Sequence, residues 1–288
     1  MQHRDDLTPP PDVIGVDAQM TAEREELKYL IAPELVPRFS QAMGTHLPHH
    51  RFTGEGANRL PNPQHFVTTI YFDTTSRHQY RAACENADHN AKIRAKEYYD
   101  LHPSLTELAT DPRQIVRFQA ALWLELKVKD GTRTRKRRIG IPKKDVPAFF
   151  ASGKITPEMI DLQRPLYGLA GEAVLYEITA HCLRFGEPLQ ADCLVNYRRL
   201  PWQDVAGNLR VTLDVSLEYF APPADLWQRN YALVRETLGA PRGRQSKGVL
   251  EVKARGQAPG WLEELIAEVK GAREKFSKFE EASQVVHG

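Results

Sequence analysis

Residues 122–129 read LWLELKVK, and this alternation of apolar and charged residues decides the fold. Side chains of a β-strand point alternately to its two faces. One face of this strand therefore carries the apolar side chains of Leu122, Leu124, Leu126 and Val128. The other face carries Trp123, Glu125, Lys127 and Lys129. The segment predicts a strand that is apolar on one side and ionic on the other.

The next segment predicts a hairpin partner for this strand. The turn Asp130-Gly131-Thr132 leads into Arg133–Ile141, and Ile139 and Ile141 match the apolar face. The ionic face then receives Thr134, Lys136, Arg138 and Gly140, whereas Arg135 and Arg137 point to the opposite side. Like charges that are neighbours on one face of a sheet repel each other. The clustered bases therefore indicate acids or a bound anion that neutralises them.

Four other segments show the same alternation. They are Glu26-Leu27-Lys28, Lys92-Ile93-Arg94-Ala95-Lys96, Arg210-Val211-Thr212-Leu213-Asp214 and Glu251-Val252-Lys253. One such strand is typical of a sheet with a solvated face, which is the ordinary interpretation of any single segment. Five of them favour a sheet curled around a charged interior. We therefore predict an α+β fold, with one antiparallel sheet or barrel that has a charged interior and flanking helices.

The chemistry of the ionic faces indicates binding of phosphate and a metal ion. Lysine and arginine bind phosphoryl oxygens through charge-assisted hydrogen bonds. Carboxylates on the same faces are the oxygen ligands that hard divalent cations prefer, and they are Glu26, Glu125, Asp214 and Glu251. This combination suits phosphoryl transfer, which depends on positioning and charge neutralisation. The chain has no Walker A loop and no GxGxxG, so side chains would hold any nucleotide.

Composition narrows the class of protein. The 288 residues carry a net charge of +2, which provides no global field for nucleic acid, and the basic run 133–138 has no interleaved aromatic residues. We therefore expect no nucleic-acid partner. No apolar run reaches membrane-spanning length, the polar start is unlike a secretory signal, and the three cysteines form no CxxC pair. These features predict a cytoplasmic protein.

The chain is expected to form one domain. We predict a flexible tail at 1–22, a single tunnel domain at 23–288, an insertion at about 100–120 and a C-terminal helical segment at 261–288. Pro33–Met43 is predicted to be helical, while Ala170–Leu183 fits either a helix or a strand. His46, His49 and His50 lie in a Pro/Gly-rich loop and are not interpreted as a metal cluster.

The order of several short motifs resembles one known family. The motifs are Glu26–Tyr29 (ELKY), Thr69–Asp73 (TIYFD), Lys92–Arg94 (KIR), Leu124–Lys127 (LELK), Tyr197–Arg199 (YRR), Arg210–Asp214 (RVTLD), Leu250–Lys253 (LEVK) and Lys275–Phe279 (KFSKF). Each motif is weak alone, but their succession resembles the VTC domain. This is the polyphosphate polymerase domain of the triphosphate tunnel (CYTH-like) superfamily, and the resemblance covers roughly residues 23–280.

The resemblance implies the fold of an antiparallel β-barrel tunnel, a function and a set of site residues. It implies a polymerase that transfers the γ-phosphate of ATP to polyphosphate, with Mn²⁺ or Mg²⁺ as cofactor and ATP, polyphosphate or another triphosphate as partners. The expected catalytic residues in the tunnel are Lys28, Arg94, Lys127, Arg199 and Arg210. The expected substrate-binding residues are Lys92, Lys96, Lys129, Lys136, Arg138, Tyr197, Lys253, Ser277 and Lys278. The expected metal ligands are Glu251, Glu26 and Glu125.

Two departures from the family pattern leave alternatives open. Arg24 stands where the superfamily's ExExK signature has its first acid, and the Arg-x-Arg pair is here either Lys92-x-Arg94 or Arg94-x-Lys96. The alternative functions are a triphosphatase or polyphosphatase that uses the same tunnel, and a non-catalytic module that binds polyphosphate or nucleotide. The chain lacks the SPX-type and transmembrane portions of eukaryotic complexes, so we expect a stand-alone bacterial version, and a membrane-protein partner stays open.

Overall fold

The computed structural model describes residues 25–50, 64–86, 88–99, 120–131, 133–229 and 233–288. The predicted tail at 1–22 lies outside these residues, as does nearly all of the predicted insertion at about 100–120. The division of the chain into a tail and one domain therefore stays a prediction.

Ten strands form one sheet. In chain order they are β1 Glu25–Ile31, β2 His65–Thr74, β3 His89–Tyr99, β4 Ala121–Asp130, β5 Arg133–Pro142, β6 Leu189–Gln203, β7 Leu209–Phe220, β8 Gly243–Gln245, β9 Gly248–Ala254 and β10 Ala272–Arg273. The order across the sheet is β10-β1-β9-β7-β6-β2-β3-β4-β5, with β8 paired to β7 at the side. Each pair of neighbours is antiparallel, as predicted.

Seven α-helices accompany the sheet within the described residues. They are α1 Val36–His46, α2 His78–Glu85, α3 Val146–Ser152, α4 Pro157–Tyr167, α5 Gly171–Leu183, α6 Gly260–Glu268 and α7 Lys278–His287. The segment whose type was left open, Ala170–Leu183, is thus mainly helical. Its apolar side chains Leu175, Ile178 and Cys182 are buried together on one side of α5, as expected from helical periodicity.

The hairpin of β4 and β5 has the predicted register. Glu125 lies opposite Arg138, and Lys127 lies opposite Lys136. The apolar faces of the two strands are buried against α3, α4 and α5, in a core that includes Leu124. Alternation along the two strands therefore sends Glu125, Lys127, Lys136 and Arg138 to the other face of the sheet. Arg137 stays on the helix side, where it pairs with Glu177 of α5.

The sheet is curled, but strand pairing does not close it into a barrel. Over the described residues the strand order ends at β10 and β5, so the expectation of a closed barrel is corrected to an open, curled sheet. Glu26 of β1 nevertheless interacts electrostatically with Lys127 of β4, six strands away in the order. In a flat sheet these strands would lie about 29 Å apart. The curl therefore brings the two charged walls face to face.

The convex and concave sides of the sheet are covered differently. The convex side forms two apolar cores, one under α3–α5 and one under α1 and α6. The concave side is divided. One part is apolar, contains Tyr71, Tyr197 and Tyr219, and is covered by α7 through Phe279. The rest of the concave side carries the charged residues. Helix α7 therefore lies along the inside of the curl, whereas α6 lies on the convex side.

Candidate functional site

The concave face first gathers three charged side chains from β3, β4 and β5. Arg94 Nε donates to Glu125 Oε1 at 2.8 Å, and Arg138 Nε donates to Glu125 Oε2 at 2.9 Å. Burial alone would raise the pKa of Glu125, but the two guanidinium groups outweigh it and hold the pKa well below its usual value. Glu125 is therefore an anion that fixes two arginine side chains in position.

A second acid organises the middle of the sheet. Arg199 on β6 forms a bidentate ion pair with Asp214 on β7, with Nε–Oδ1 and Nη2–Oδ2 distances of 2.7 and 2.8 Å. Lys278, the first residue of α7, reaches the same carboxylate at 2.8 Å. Burial raises the pKa of Asp214, but these cations bring it down to about 2. The Lys278 ammonium also lies over the Tyr197 ring, 5.0 Å from its centroid.

Acids and bases alternate across β1 and β9. The register sets Glu26 opposite Lys253 and Lys28 opposite Glu251. Lys253 forms ion pairs with both acids, at 3.8 Å to Glu26 and more closely to Glu251. Repulsion by Glu251 and burial both raise the pKa of Glu26, but the surrounding lysines, Lys253 first among them, lower it to about 2. The two carboxylates therefore remain ionised side by side.

Lys127 differs from the other bases of the concave face. Burial lowers its pKa, Glu26 acts in the opposite direction, and the charges of Arg94, Lys136 and Lys28 add to the lowering, so that the pKa is about 8. Among the residues that the structure describes, Lys127 has no hydrogen-bonded acid of its own, in contrast to Arg94 and Arg199. The nearby cations repel its charge, and Glu26 on the opposite wall attracts it. A bound anion would therefore stabilise the charged form of Lys127.

The segment 276–280 joins two walls of the curl. Lys28 Nζ donates to the carbonyl oxygen of Phe276 at 2.9 Å. Lys92 Nζ on β3 donates to Ser277 Oγ at 3.0 Å and pairs with Glu280 at 2.7 Å. Ser277 is also the N-cap of α7 and accepts from the backbone N–H of Glu280. The start of α7 thus lies among the bases of β1 and β3.

The remaining predicted site residues lie on the same face or at its rim. Lys136 acts on Lys127 and Glu125, Lys96 acts on Glu125, and Arg210 lies opposite Lys253. Lys129 lies at the rim, where it pairs with Asp88 at 2.7 Å and is partly exposed. Within the described residues the structure therefore brings together nearly all of the bases that the sequence selected. Whether they bind phosphate stays a prediction.

The histidines that sequence reasoning set aside have structural neighbours. The His46 ring stacks on Trp261 with a centroid distance of 4.2 Å, and His49 stacks on Trp202.

The fit of a divalent cation differs among the three predicted ligands. Both oxygens of Glu125 are occupied by guanidinium groups, so this residue does not fit a metal ligand. Glu26 and Glu251 are two ionised carboxylates on adjacent strands that repel each other. Within the described part of the chain, no three His, Cys, Asp or Glu side chains group closely enough to hold an ion. Two carboxylates that leave further positions to phosphate oxygens suit Mg²⁺ or Mn²⁺.

Two residues of the site were missed by sequence reasoning. Glu280 holds Lys92, and the pattern Ser277-x-x-Glu280 is a capping-box signature that would have placed it at the start of a helix. Tyr71 is buried beside Arg94 and stacks on Phe279 at 5.1 Å. Its position in the alternation of β2 sends it to the same face as Arg94, its register partner on β3.

Comparison with known proteins identifies the family. The sequence profile of the VTC domain matches residues 23–287, and the chain belongs to this family. As a member of this family, it is a tunnel enzyme that binds polyphosphate or triphosphates. A comparison with curated proteins returned no match.

Two solved structures resemble the chain at low identity. One is a protein of Bacillus halodurans that was assigned provisionally as an adenylate cyclase. The two sequences are 13% identical, the alignment covers 90% of this chain and 98% of that protein, and the TM-score is 0.43. The other is a protein of Pyrococcus horikoshii OT3 with 11% identity, coverages of 89% and 97%, and a TM-score of 0.38. In the described part of the chain, no helix is both long and apolar enough to span a membrane.

Proposed function

We propose that the protein is a polyphosphate polymerase that transfers the γ-phosphate of ATP to a polyphosphate end inside the curled sheet. The observation that carries the proposal is that bases from opposite walls face one space. Lys28 of β1 interacts electrostatically with Lys92 of β3 and Lys127 of β4, although four and five strands respectively lie between them in the sheet. A chain of phosphates threaded between the walls would contact both.

The arginines supply fixed hydrogen-bond donors. Glu125 and Asp214 hold Arg94, Arg138 and Arg199 in one geometry, so that little reorganisation accompanies the reaction. Each guanidinium group has five N–H donors, and its acid uses only part of them. We expect the remaining donors of Arg94 and Arg199 to contact phosphate oxygens, where charge spreads during phosphoryl transfer.

The reaction needs no nucleophile from the protein. A terminal oxygen of polyphosphate attacks the γ-phosphorus of ATP, the bond to the β-phosphate oxygen breaks, and ADP leaves. The chain's own residues orient the two phosphates and neutralise their charge. Glu26 and Glu251 would hold the divalent cation, which would supply positive charge to offset that of the phosphates when bound.

Incubation of the protein with ATP and Mn²⁺ or Mg²⁺ tests the proposal. Long acid-labile phosphate chains with release of ADP support a polymerase. Release of orthophosphate alone supports a triphosphatase instead, and binding without turnover supports a non-catalytic module. Arg94→Ala and Glu251→Ala should each lower the rate at least about 100-fold. Arg164→Ala and Glu263→Ala, which change exposed residues of α4 and α6, are matched controls and should retain activity.

A further inference from the structure

Helix α5 carries an apolar stripe on the side that faces solvent. Gly171, Leu175, Ile178 and Cys182 are buried on its inner side, against the convex face of the sheet. The stripe consists of exposed residues at alternating spacings of four and three, which are Leu169, Ala173, Tyr176, Ala180 and Leu183. This is the spacing of residues that meet another helix.

The stripe is unusual within this molecule. Five large apolar side chains are exposed among the described residues, and three of them, Leu169, Tyr176 and Leu183, lie on this one surface. Leu169, just before the helix, is 102% exposed. Single exposed apolar residues need no explanation, but a contiguous group is typical of an interaction site.

We propose that this stripe is the contact surface of an antiparallel, two-fold symmetric homodimer of the chain. A two-fold interface requires a surface that is complementary to itself. With the axis at the level of Ile178, Tyr176 of one copy lies beside Ala180 of the second copy, and Leu183 lies beside Ala173. Tyr176 and Leu183 then each meet a small side chain, which lets the two helices approach closely.

The charges around the stripe select the antiparallel direction. Glu172 lies in the first turn of α5 and Arg184 directly follows the last turn, six residues to either side of Ile178. An antiparallel partner brings the acidic start of one helix to the level of the basic end of the other, and the two helix dipoles oppose each other. A parallel partner would bring acid to acid and base to base. A second copy therefore fits this surface in charge as well as in size.

The dimer leaves the candidate site accessible. The buried side of α5 packs with β3, β4 and β5 on the convex face, whereas the site residues lie on the concave face. Disruption of the dimer should therefore leave tripolyphosphate binding intact, and this separates the test from that of the proposed function.

The mass of the protein in solution tests the proposal. At micromolar concentration, the mass of the wild-type protein measured by sedimentation should be twice the chain mass of 32.7 kDa. Tyr176→Glu and Leu183→Glu should sediment at the chain mass itself, because each places a charge in the stripe. Val205→Glu is the matched control, since Val205 is 101% exposed but lies between β6 and β7, and it should remain dimeric. Circular dichroism and tripolyphosphate binding verify that each variant is folded.

Disulfide trapping tests the direction of the pair. Cys84 is exposed and is first changed to serine. A mixture of Tyr176→Cys chains and Ala180→Cys chains should then form a disulfide between unlike chains faster than between like chains. Preference for like chains would overturn the antiparallel arrangement. The interface itself would be overturned if the wild type were monomeric, as it would be if a segment of the same chain covered the stripe. It would also be overturned if Tyr176→Glu and Leu183→Glu were dimeric.

Discussion

The role of each charged residue on the concave face depends on the neighbour that neutralises its charge. The alternation of β4 and β5 correctly predicted which side chains share this face. It did not predict which acid would pair with which base, because the choice depends on strand neighbours that are distant in sequence. Glu125 was expected to bind a metal, yet its register neighbours Arg94 and Arg138 occupy it instead.

Lys127 should make phosphate binding depend on pH. Its amine is cationic below its pKa of about 8, so its attraction for phosphate is complete near pH 7 and is lost as the pH rises through 8. Between pH 7 and pH 9 we expect a loss of roughly tenfold in tripolyphosphate affinity from this group. Isothermal titration calorimetry measures this affinity as a function of pH for wild type and Lys127→Arg. Because arginine keeps its charge at these pH values, the difference between the two curves is the contribution of Lys127. Lys129→Arg, at the rim, should reproduce the wild-type curve. Parallel curves for wild type and Lys127→Arg would contradict this assignment.

Glu125→Gln should destabilise the protein and make its stability depend more on bound anions. The substitution leaves two nearly buried guanidinium groups without their acid, which costs about 3–5 kcal/mol of unfolding free energy. Urea unfolding should show this loss, and tripolyphosphate should recover more stability in the variant than in wild type. Glu158→Gln, whose partner Lys144 is exposed, is the control and should cost less than about 1 kcal/mol. A loss at Glu125 as small as the control's would be the contrary result.

Secondary-structure elements were predictable where their signals are local. A hairpin needs only two alternating segments and a turn, and Gly131 has the positive φ, 60°, that such a turn favours. Helix α5 was ambiguous because its sequence is apolar on the exposed side as well as on the buried side, which hides its periodicity. Its exposed apolar stripe is thus the physical reason that sequence reasoning could not decide.

The start of α7 should be sensitive to its N-cap. Ser277→Ala removes the acceptor for the N–H of Glu280 and one of the two contacts of Lys92, so we expect a loss of about 1 kcal/mol. Thermal unfolding measures the loss, and hydrogen exchange should show faster opening of the first turn of α7. Ser152→Ala, in the exposed last turn of α3, is the matched control and should change stability by less than about 0.5 kcal/mol. Equal effects at the two serines would show that the cap contributes nothing special.

At the scale of the whole molecule, the curl could be inferred from charge patterning, but its closure could not. Five strands with one ionic face favour a shielded interior, and that inference uses only the alternation of residues within each strand. Pairing between the first and last strands would depend on contacts that no local pattern encodes. The position of α7 along the inside was likewise hidden, because Phe276 and Phe279 fit packing on either side of a sheet.

Coupling across the curl provides a test of the whole architecture. The charge of Glu26 on β1 favours the charged form of Lys127 on β4, so Glu26→Gln should lower the pKa of Lys127 further below its value of about 8. NMR titration of the lysine ¹³Cε signals measures this pKa, with Lys127→Arg to assign the signal. Glu263→Gln, an exposed acid on α6, should leave it unchanged. An unchanged pKa in Glu26→Gln would mean that the two walls do not face each other.

The contact between Lys28 and Phe276 spans 248 positions of the sequence. At ribosomal rates of about 5–20 residues per second, β1 would be synthesised roughly 12–50 s before the backbone that accepts its lysine. During that interval the ionic strands of the nascent chain lack the helix that later lies among them. The bases of β1 and β3 therefore receive their contacts with the segment 276–280 only after the strands themselves have been synthesised.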